Sequence, residues 1–188
     1  MFYYNDPKNV ENYIKMCESY DSSNLYNLLK QHLKEASTLL ELGCGAGLDM
    51  AVLKEHYKMT GSDLSDEFLH YCKNTFPDIP FLKLDISDIN LKMKFDGIYS
   101  NKVLHHLSEE ALIDSLEQQS KILSPNGIIA HSFWLGDESY GMNGLHYQYY
   151  NKERLLEIIS HNFEVVALLQ YEEFEPDDSL FVIARLSK

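Results

Sequence analysis

Three glycines alternate with single residues in the segment LLELGCGAGLD, at residues 39–49. Gly43, Gly45 and Gly47 follow an apolar run and precede a predicted helix. Glycine has no side chain and adopts positive φ readily, so such a loop lets the backbone approach a ligand closely. Glu41 stands just before the loop, where its carboxylate either contributes to the ligand site or anchors the loop through backbone N–H groups.

Other residues capable of chemistry follow later apolar runs. Asp63 and Asp85 each end such a run, where a carboxylate can accept hydrogen bonds from a ligand. Their alternative interpretations are a helix-capping acid for Asp63 and a solvated turn acid for Asp85. His105 and His106 follow the fourth run, and imidazoles titrate near neutral pH. A structural role is the alternative for both histidines.

Alternating apolar runs and helix-like stretches predict the elements that position these residues. Strands are predicted at 37–42, 57–62, 80–85, 95–100 and 127–133. Helices are predicted at 46–57, from the N-cap Ser65 toward Pro77, and from the N-cap Ser108 to about Leu123, before a turn at 124–127. Two amphipathic helices, separated at 19–24, are predicted within residues 1–35. This alternation predicts a parallel sheet with helices on both faces.

The C-terminal part of the chain departs from that alternation. Residues 136–150 predict a glycine- and tyrosine-rich loop, and a helix follows from Asn151 to about Ser160. Two long apolar stretches within 161–188 have no helix between them and predict an antiparallel hairpin. The predicted fold is α/β, a doubly wound, seven-stranded, mostly parallel sheet with a C-terminal antiparallel β-hairpin, in one domain spanning 1–188.

The composition disfavours several classes of function. Sixteen basic and 29 acidic residues give a net charge of −13, which disfavours a nucleic-acid partner. The absence of a long uncharged apolar run or a secretory pattern predicts a cytoplasmic protein without membrane contact. Cys17, Cys44 and Cys72 have spacings that form neither a disulfide framework nor a zinc motif, so no metal is expected.

The sequence of the glycine loop can be compared with two known nucleotide-binding patterns. The dinucleotide fingerprint G-x-G-x-x-G needs a glycine where this chain has Leu48. The segment ELGCGAG instead resembles the first motif of class I S-adenosylmethionine-dependent methyltransferases, E/D-x-G-x-G-x-G. The segments TGSDLS, LKLDIS, FDGIYSNKVLHHL and ILSPNGIIAHSF resemble further motifs of that family in the same order. The resemblance covers roughly residues 36–135 and the closing hairpin, and it implies the Rossmann-like methyltransferase fold.

The resemblance implies a site for S-adenosyl-L-methionine. In the family, the glycine loop bends around the amino-acid end and the ribose of the cofactor. Acids that match Asp63 and Asp85 meet the ribose hydroxyls and the adenine amino group. The predicted cofactor-binding residues are Glu41, Gly43, Gly45, Gly47, Asp63, Leu64, Asp85, Ile86 and Asn101.

The resemblance also implies how the acceptor is held. Residues 1–35 and 136–160 are expected to cover the pocket formed by the cofactor-binding core at 36–135, with 161–188 as the closing hairpin. Trp134, Tyr147 and Tyr149 are predicted to line the acceptor side, with ordinary aromatic packing as the alternative. The candidate catalytic residues are His105 and His106, which could take a proton from the acceptor.

The sequence therefore predicts in-line methyl transfer to a small-molecule acceptor, with release of S-adenosylhomocysteine. At 188 residues the chain has little room for a separate acceptor domain, and we expect a monomer or homodimer. A non-catalytic module that binds S-adenosylmethionine and an NAD-dependent oxidoreductase are the alternatives. His131, within the fifth strand, is predicted to be a hydrogen-bonded core histidine.

Overall fold

The computed structural model describes residues 3–17 and 20–187, which form six α-helices and nine strands. The helices are α1 (Pro7–Cys17), α2 (Ser23–His32), α3 (Leu48–Leu53), α4 (Asp66–Thr75), α5 (Glu109–Ile122) and α6 (Lys152–Ser160). The strands are β1 (Thr38–Leu42), β2 (Lys58–Asp63), β3 (Phe81–Lys83), β4 (Phe95–Asn101), β5 (Leu123–Trp134), β6 (Ser139–Met142), β7 (Leu145–Gln148), β8 (Phe163–Tyr171) and β9 (Ser179–Leu186). Residues 18–19 lie outside the described residues. The break predicted between the first two helices, at 19–24, begins at the second of these two residues.

A seven-stranded sheet with the order β3-β2-β1-β4-β5-β9-β8 organises the described residues. The pairs among β1 to β5 are parallel, whereas β9 pairs antiparallel with both β5 and β8. The predicted fold class is therefore confirmed. The strand order reverses between β1 and β4, so their carboxyl ends form the crevice where such sheets bind ligands.

Two apolar cores, one on each face, hold the helices against the sheet. Successive strand residues point to opposite faces, so Leu39 and Tyr99 enter the core beneath α2 and α3. Leu40 and Ile98 enter the core beneath α5 and α6. The central strands β1, β2, β4, β5 and β9 are buried on both sides over most of their length, which explains their largely apolar sequences.

The predicted helix starts are confirmed by side-chain caps. Ser65 Oγ accepts a hydrogen bond from the Phe68 N–H at 3.2 Å, and Ser108 Oγ accepts one from the Ala111 N–H at 3.3 Å. Asn151 Oδ1 caps α6 by accepting from the Arg154 N–H at 2.9 Å. These caps satisfy N–H groups that have no partner within the helix.

Some element boundaries differ from the predicted ones. The helix predicted at 46–57 begins at Leu48, after the left-handed Gly47, and ends at Leu53, where tighter turns lead into β2. The strand predicted at 80–85 covers only Phe81–Lys83, because the chain turns at Asp85. The predicted turn at 124–127 is a bulge inside β5, since Leu123 pairs with Phe95 and Ile128 pairs with Gly97.

The loop predicted at 136–150 instead contains the β6–β7 hairpin. Asn143 and Gly144 form its turn with φ of 54° and 75°. Two successive residues with positive φ match the twist of flanking antiparallel strands, and the pair Asn-Gly favours that turn. The hairpin carries Tyr147 to the carboxyl edge of the main sheet, beside His105.

Candidate active site

The glycine loop connects β1 to α3 at the carboxyl edge of the sheet. Gly43, Gly45 and Gly47 have φ of 63°, 49° and 74°, which favours glycine at each position. A Cβ on Gly43 would lie 2.5 Å from Val103 Cγ1, and one on Gly47 would lie 2.7 Å from Phe76 Cε2. The loop therefore depends on glycine for both its backbone angles and its space.

Asp63 at the end of β2 fixes the shape of this loop. Its Oδ2 accepts the Gly45 N–H at 2.9 Å, and its Oδ1 accepts the Ser65 N–H at 2.8 Å. Burial raises the pKa of Asp63, and these two backbone hydrogen bonds oppose the rise. The loop anchor is thus Asp63 rather than Glu41, while the half-buried Leu64 continues from it toward α4.

The buried Glu41 and the half-buried Asp49 form an acidic pair beside the loop. Glu41 Oε2 is buried without a hydrogen-bond partner. Burial, and next the Asp49 carboxylate, raise the pKa of Glu41. Asp49 Oδ1 accepts hydrogen bonds from Tyr26 Oη at 2.5 Å and from Asn101 Nδ2 at 3.4 Å. A buried acceptor without a donor is costly, so this position suits a ligand that supplies an N–H group.

Asn101 joins the glycine-loop region to β5. Its Oδ1 accepts a hydrogen bond from Ser132 Oγ at 2.5 Å, and its Nδ2 also donates to Ser22 Oγ at 3.1 Å. These bonds and the one to Asp49 hold its amide between β5, α3 and the start of α2. The predicted residues Glu41 and Asn101 are therefore brought together through Asp49.

Asp85 and Ile86 form a turn just beyond β3. Asp85 Oδ1 accepts hydrogen bonds from the Ser87 N–H at 2.8 Å and from Ser87 Oγ at 2.6 Å. The Ile86 carbonyl accepts a hydrogen bond from Ser115 Oγ at 2.6 Å, which ties the turn to α5. Asp85 therefore shapes its own turn at the same sheet edge as Asp63.

His105 and His106 lie against Tyr147 from the β6–β7 hairpin. The His105 and Tyr147 rings stack with centroids 5.4 Å apart, and the two histidine rings are 4.1 Å apart. His106 Nδ1 lies 2.8 Å from the His146 carbonyl oxygen, whereas His105 Nδ1 is buried without a partner. Burial lowers the pKa of both histidines, so both are neutral at neutral pH.

Trp134 and Tyr149 form a second aromatic group beside the first. Their rings stack at 6.1 Å, and Phe174 stacks on Trp134 at 5.5 Å. Tyr140 contacts both Tyr147 and Tyr149, with centroids 5.1 Å and 5.9 Å away. The three predicted acceptor-side aromatics thus belong to one connected set of rings.

The N-terminal segment covers the glycine loop. The Tyr13 ring lies 3.5 Å from where a Cβ on Gly45 would stand. Tyr4, Tyr13 and Phe68 contact one another with ring centroids 5.2 to 5.4 Å apart. Ser65 Oγ donates a hydrogen bond to the Tyr4 carbonyl oxygen, which fastens this segment beside Asp63.

Sequence reasoning missed Asp49, Lys102 and Glu173. Asp49 was detectable as the acid that directly follows the glycine loop, and Lys102 as the neighbour of Asn101. Glu173 lies in the loop between β8 and β9 and meets Lys102 only through the tertiary fold. No local sequence signal marks that contact.

Two absences concern only the described residues. Within 3–17 and 20–187, no group of three or more histidine, cysteine, aspartate or glutamate side chains could hold a metal ion. Over the same part of the chain, no helix is both long enough and apolar enough to cross a membrane.

Known proteins with similar sequences match the region that contains this site. A family model for a methyltransferase domain matches residues 39–127. The dTDP-3-amino-3,4,6-trideoxy-alpha-D-glucopyranose N,N-dimethyltransferase of Streptomyces venezuelae is 26% identical over 123 residues, covering 64% of this chain and 52% of that protein. Trans-aconitate 2-methyltransferase of Azoarcus sp. (strain BH72) is 26% identical over 123 residues, covering 64% and 48% respectively. The chain spans about half the length of these curated relatives.

Solved structures share the fold along the whole chain. The N-methyltransferase NodS from Bradyrhizobium japonicum WM9, in complex with S-adenosylhomocysteine, is similar with a TM-score of 0.78. The two chains are 20% identical, and the match covers 100% of each. At that identity the likeness establishes a common fold.

Proposed function

Because this chain belongs to the class I S-adenosylmethionine-dependent methyltransferases, we propose that it binds S-adenosylmethionine and methylates a small-molecule acceptor. The observation that carries the proposal is the glycine loop, whose positive φ angles and close contacts at Gly43 and Gly47 favour glycine, next to a buried Glu41 oxygen without a donor. When bound, S-adenosylmethionine supplies a methyl group already activated by its sulfonium. The protein then has chiefly to bind and orient the reactants, which is worth roughly 7–11 kcal/mol in well-aligned cases.

The cofactor residues have distinct roles in this proposal. Glu41 and Asn101 receive the amino-acid end, where the unpartnered Glu41 Oε2 accepts an ammonium N–H. Asp63 and the following Leu64 hold the ribose side, beside the loop that Asp63 shapes. Asp85 and Ile86 hold the adenine at the end of β3.

The acceptor lies on the side of His105, His106 and the aromatic set in this proposal. His105, with its unpartnered Nδ1, is the residue that would accept a proton that the acceptor loses. Trp134, Tyr147 and Tyr149 offer flat apolar faces to the acceptor. The curated relatives named for an amino sugar and for trans-aconitate support a small-molecule acceptor.

Thermal unfolding with S-adenosylmethionine, S-adenosylhomocysteine and NAD tests the cofactor. A ligand at about 100 times its dissociation constant stabilises by roughly 2.7 kcal/mol. We expect the two adenosyl ligands to raise the midpoint by roughly 5–10 °C, and NAD to leave it unchanged. A rise with NAD alone would refute the cofactor assignment.

Two glycine variants separate cofactor binding from general stability. Gly43→Ala places a Cβ against Val103 and should abolish the rise with S-adenosylhomocysteine. Gly144→Ala carries similar backbone strain at φ 75°, but its Cβ meets nothing within 4 Å, and the rise should persist. S-adenosylhomocysteine release with an acceptor then distinguishes an enzyme from a binding module.

A further inference from the structure

A buried ion pair lies beside the acceptor-side aromatics. Lys102 follows Asn101 at the end of β4, and Glu173 lies in the loop between β8 and β9. Lys102 Nζ is 3.3 Å from Glu173 Oε2, and the two side chains are only 10% and 6% exposed. Removing two charges from water is costly, so such a pair calls for an explanation beyond stability.

Lys102 donates two of its three N–H groups to other partners. Its Nζ donates to the Phe133 carbonyl oxygen at 3.1 Å and to Ser179 Oγ at 2.6 Å. The same nitrogen lies 3.5 Å from the Trp134 ring centroid, where an ammonium group is attracted by the ring face. Glu173 Oε2 consequently gains the attraction of a nearby charge but has no hydrogen-bond partner.

The loop that carries Glu173 is held by hydrogen bonds from its backbone N–H groups to the side chain of Asp178. The Asp178 carboxylate accepts the N–H groups of Glu173, Phe174 and Glu175 at 2.9, 2.9 and 3.0 Å. Asp178 Oδ1 also accepts from Ser179 Oγ at 2.7 Å. Asp178 therefore holds the main chain of Glu173 through contacts that are separate from the ion pair with Lys102.

The surroundings of Glu173 favour a positively charged group. The Tyr171 ring centroid is 5.3 Å from Lys102 Nζ, and Phe174 extends the Trp134 stack. Burial, and next a hydrogen bond to the Glu173 side chain, raise the pKa of Tyr20, so Tyr20 also faces this position. Aromatic faces around a carboxylate whose Oε2 lacks a hydrogen-bond partner form a receptor for an N–H-bearing cation.

We propose that the acceptor carries an amino group, and that Glu173 Oε2 accepts the N–H of that group. An acidic acceptor would be repelled by the Glu173 charge, and two of the three Lys102 donors are already used by Phe133 and Ser179. A neutral alcohol could donate a hydrogen bond to Glu173 Oε2, but the carboxylate charge would attract it less strongly than a cation. Glu173 is therefore a specificity-determining residue of the proposed methyltransferase, and this inference rests on the proposed function.

Matched amines, alcohols and acids test the inference. The protein loaded with S-adenosylhomocysteine is titrated with benzylamine, benzyl alcohol and benzoate, and with glucosamine, glucose and glucuronate. Binding is followed by the unfolding midpoint and by calorimetry, and turnover of each probe with S-adenosylmethionine is followed by S-adenosylhomocysteine release. We expect at least one amine to bind at least tenfold more tightly than its matched alcohol and acid.

Variants of the same loop identify the responsible carboxylate. Glu173→Gln should weaken amine binding roughly 10- to 100-fold, the loss expected for a charged hydrogen bond. Glu175→Gln, at an exposed position of the loop, should leave amine binding unchanged. Lys102→Gln should preserve the preference for amines, because it removes the competing cation. An unchanged midpoint shift with S-adenosylhomocysteine shows that each variant retains the folded cofactor site.

Each outcome has a distinct meaning. Tighter binding of the acids, absence of amine binding, or equal amine binding by Glu173→Gln would overturn the inference about Glu173. Those results, with the S-adenosylhomocysteine shift intact, would leave the cofactor assignment standing. Loss of that shift in the unmodified protein would refute the proposed function and this inference together.

Discussion

Two buried histidines show how the sheet interior differs from its carboxyl edge. His131 is fully buried, and its ring nitrogens lie 2.8 Å from Ser100 Oγ and 2.8 Å from Gln119 Oε1. His105 is only 3% exposed, yet its Nδ1 has no hydrogen-bond partner. The interior histidine has partners for both ring nitrogens, whereas the edge histidine leaves one ring nitrogen available.

The same difference separates the carboxylates. Asp178 accepts several backbone N–H groups and organises a loop. Glu41 and Glu173 are buried at the sheet edge, each with one oxygen that lacks a partner. An unsatisfied buried polar atom destabilises a protein, so a cluster of them indicates where a ligand completes the structure.

Replacing the satisfied histidine should produce the largest effect. His131→Phe leaves Ser100 Oγ and Gln119 Oε1 without their partner in a fully buried position. We expect the free energy of unfolding to fall by about 3 kcal/mol. Urea denaturation of the two proteins measures the change, and a loss below about 1 kcal/mol would contradict the assigned network.

Lowering the pH should test the same hydrogen-bond network without a substitution. Burial lowers the pKa of His131 from 6.5 to about 3, so the unfolded chain binds a proton that the folded chain refuses. The stability from this histidine is complete above about pH 6.5 and is lost as the pH falls toward 3.

At pH 4.5, two pH units below the unfolded pKa, this loss amounts to about 3 kcal/mol. His131→Gln has no such titration, so its decline in unfolding free energy between pH 7 and pH 4.5 should be smaller by that amount. Parallel declines in the two proteins would show that His131 is accessible to protons in the folded state.

The matched substitution at the edge should have the smallest effect on stability. His105→Phe removes an Nδ1 that has no partner, so the free energy of unfolding should change by less than about 1 kcal/mol. S-adenosylhomocysteine binding should persist, while methyl transfer falls at least about tenfold with the loss of a proton acceptor. Unchanged transfer would limit His105 to shaping the pocket.

The sequence predicted the parts of this molecule that depend on local signals. The caps Ser65, Ser108 and Asn151 begin helices where expected, because one side chain and the next turn decide each start. The apolar runs located the strands, and the absence of a helix between the last two runs predicted their antiparallel pairing. The Asn143–Gly144 turn was also a local signal, so the β6–β7 hairpin was predictable and was missed.

Other features depend on contacts between distant segments. Asp63 anchors the glycine loop through the Gly45 N–H, which follows from how β1 and β2 pair. The meeting of Lys102 with Glu173 needs the position of β9 beside β5. Whether the ring nitrogens of a histidine find hydrogen-bond partners depends on its neighbours in space. The residue type therefore does not indicate that His131 has such partners and that His105 Nδ1 has none.

The Ser65 hydroxyl both accepts and donates a structural hydrogen bond, and this has a kinetic consequence. Its oxygen accepts the Phe68 N–H that begins α4, and its proton is donated to the Tyr4 carbonyl oxygen. We therefore expect that displacing the N-terminal segment from the glycine loop also loosens the first turn of α4. The hydrogen-exchange rate of the Phe68 amide should then report how often the glycine loop is uncovered, and this opening frequency would set an upper limit on the rate of ligand exchange at the proposed cofactor site.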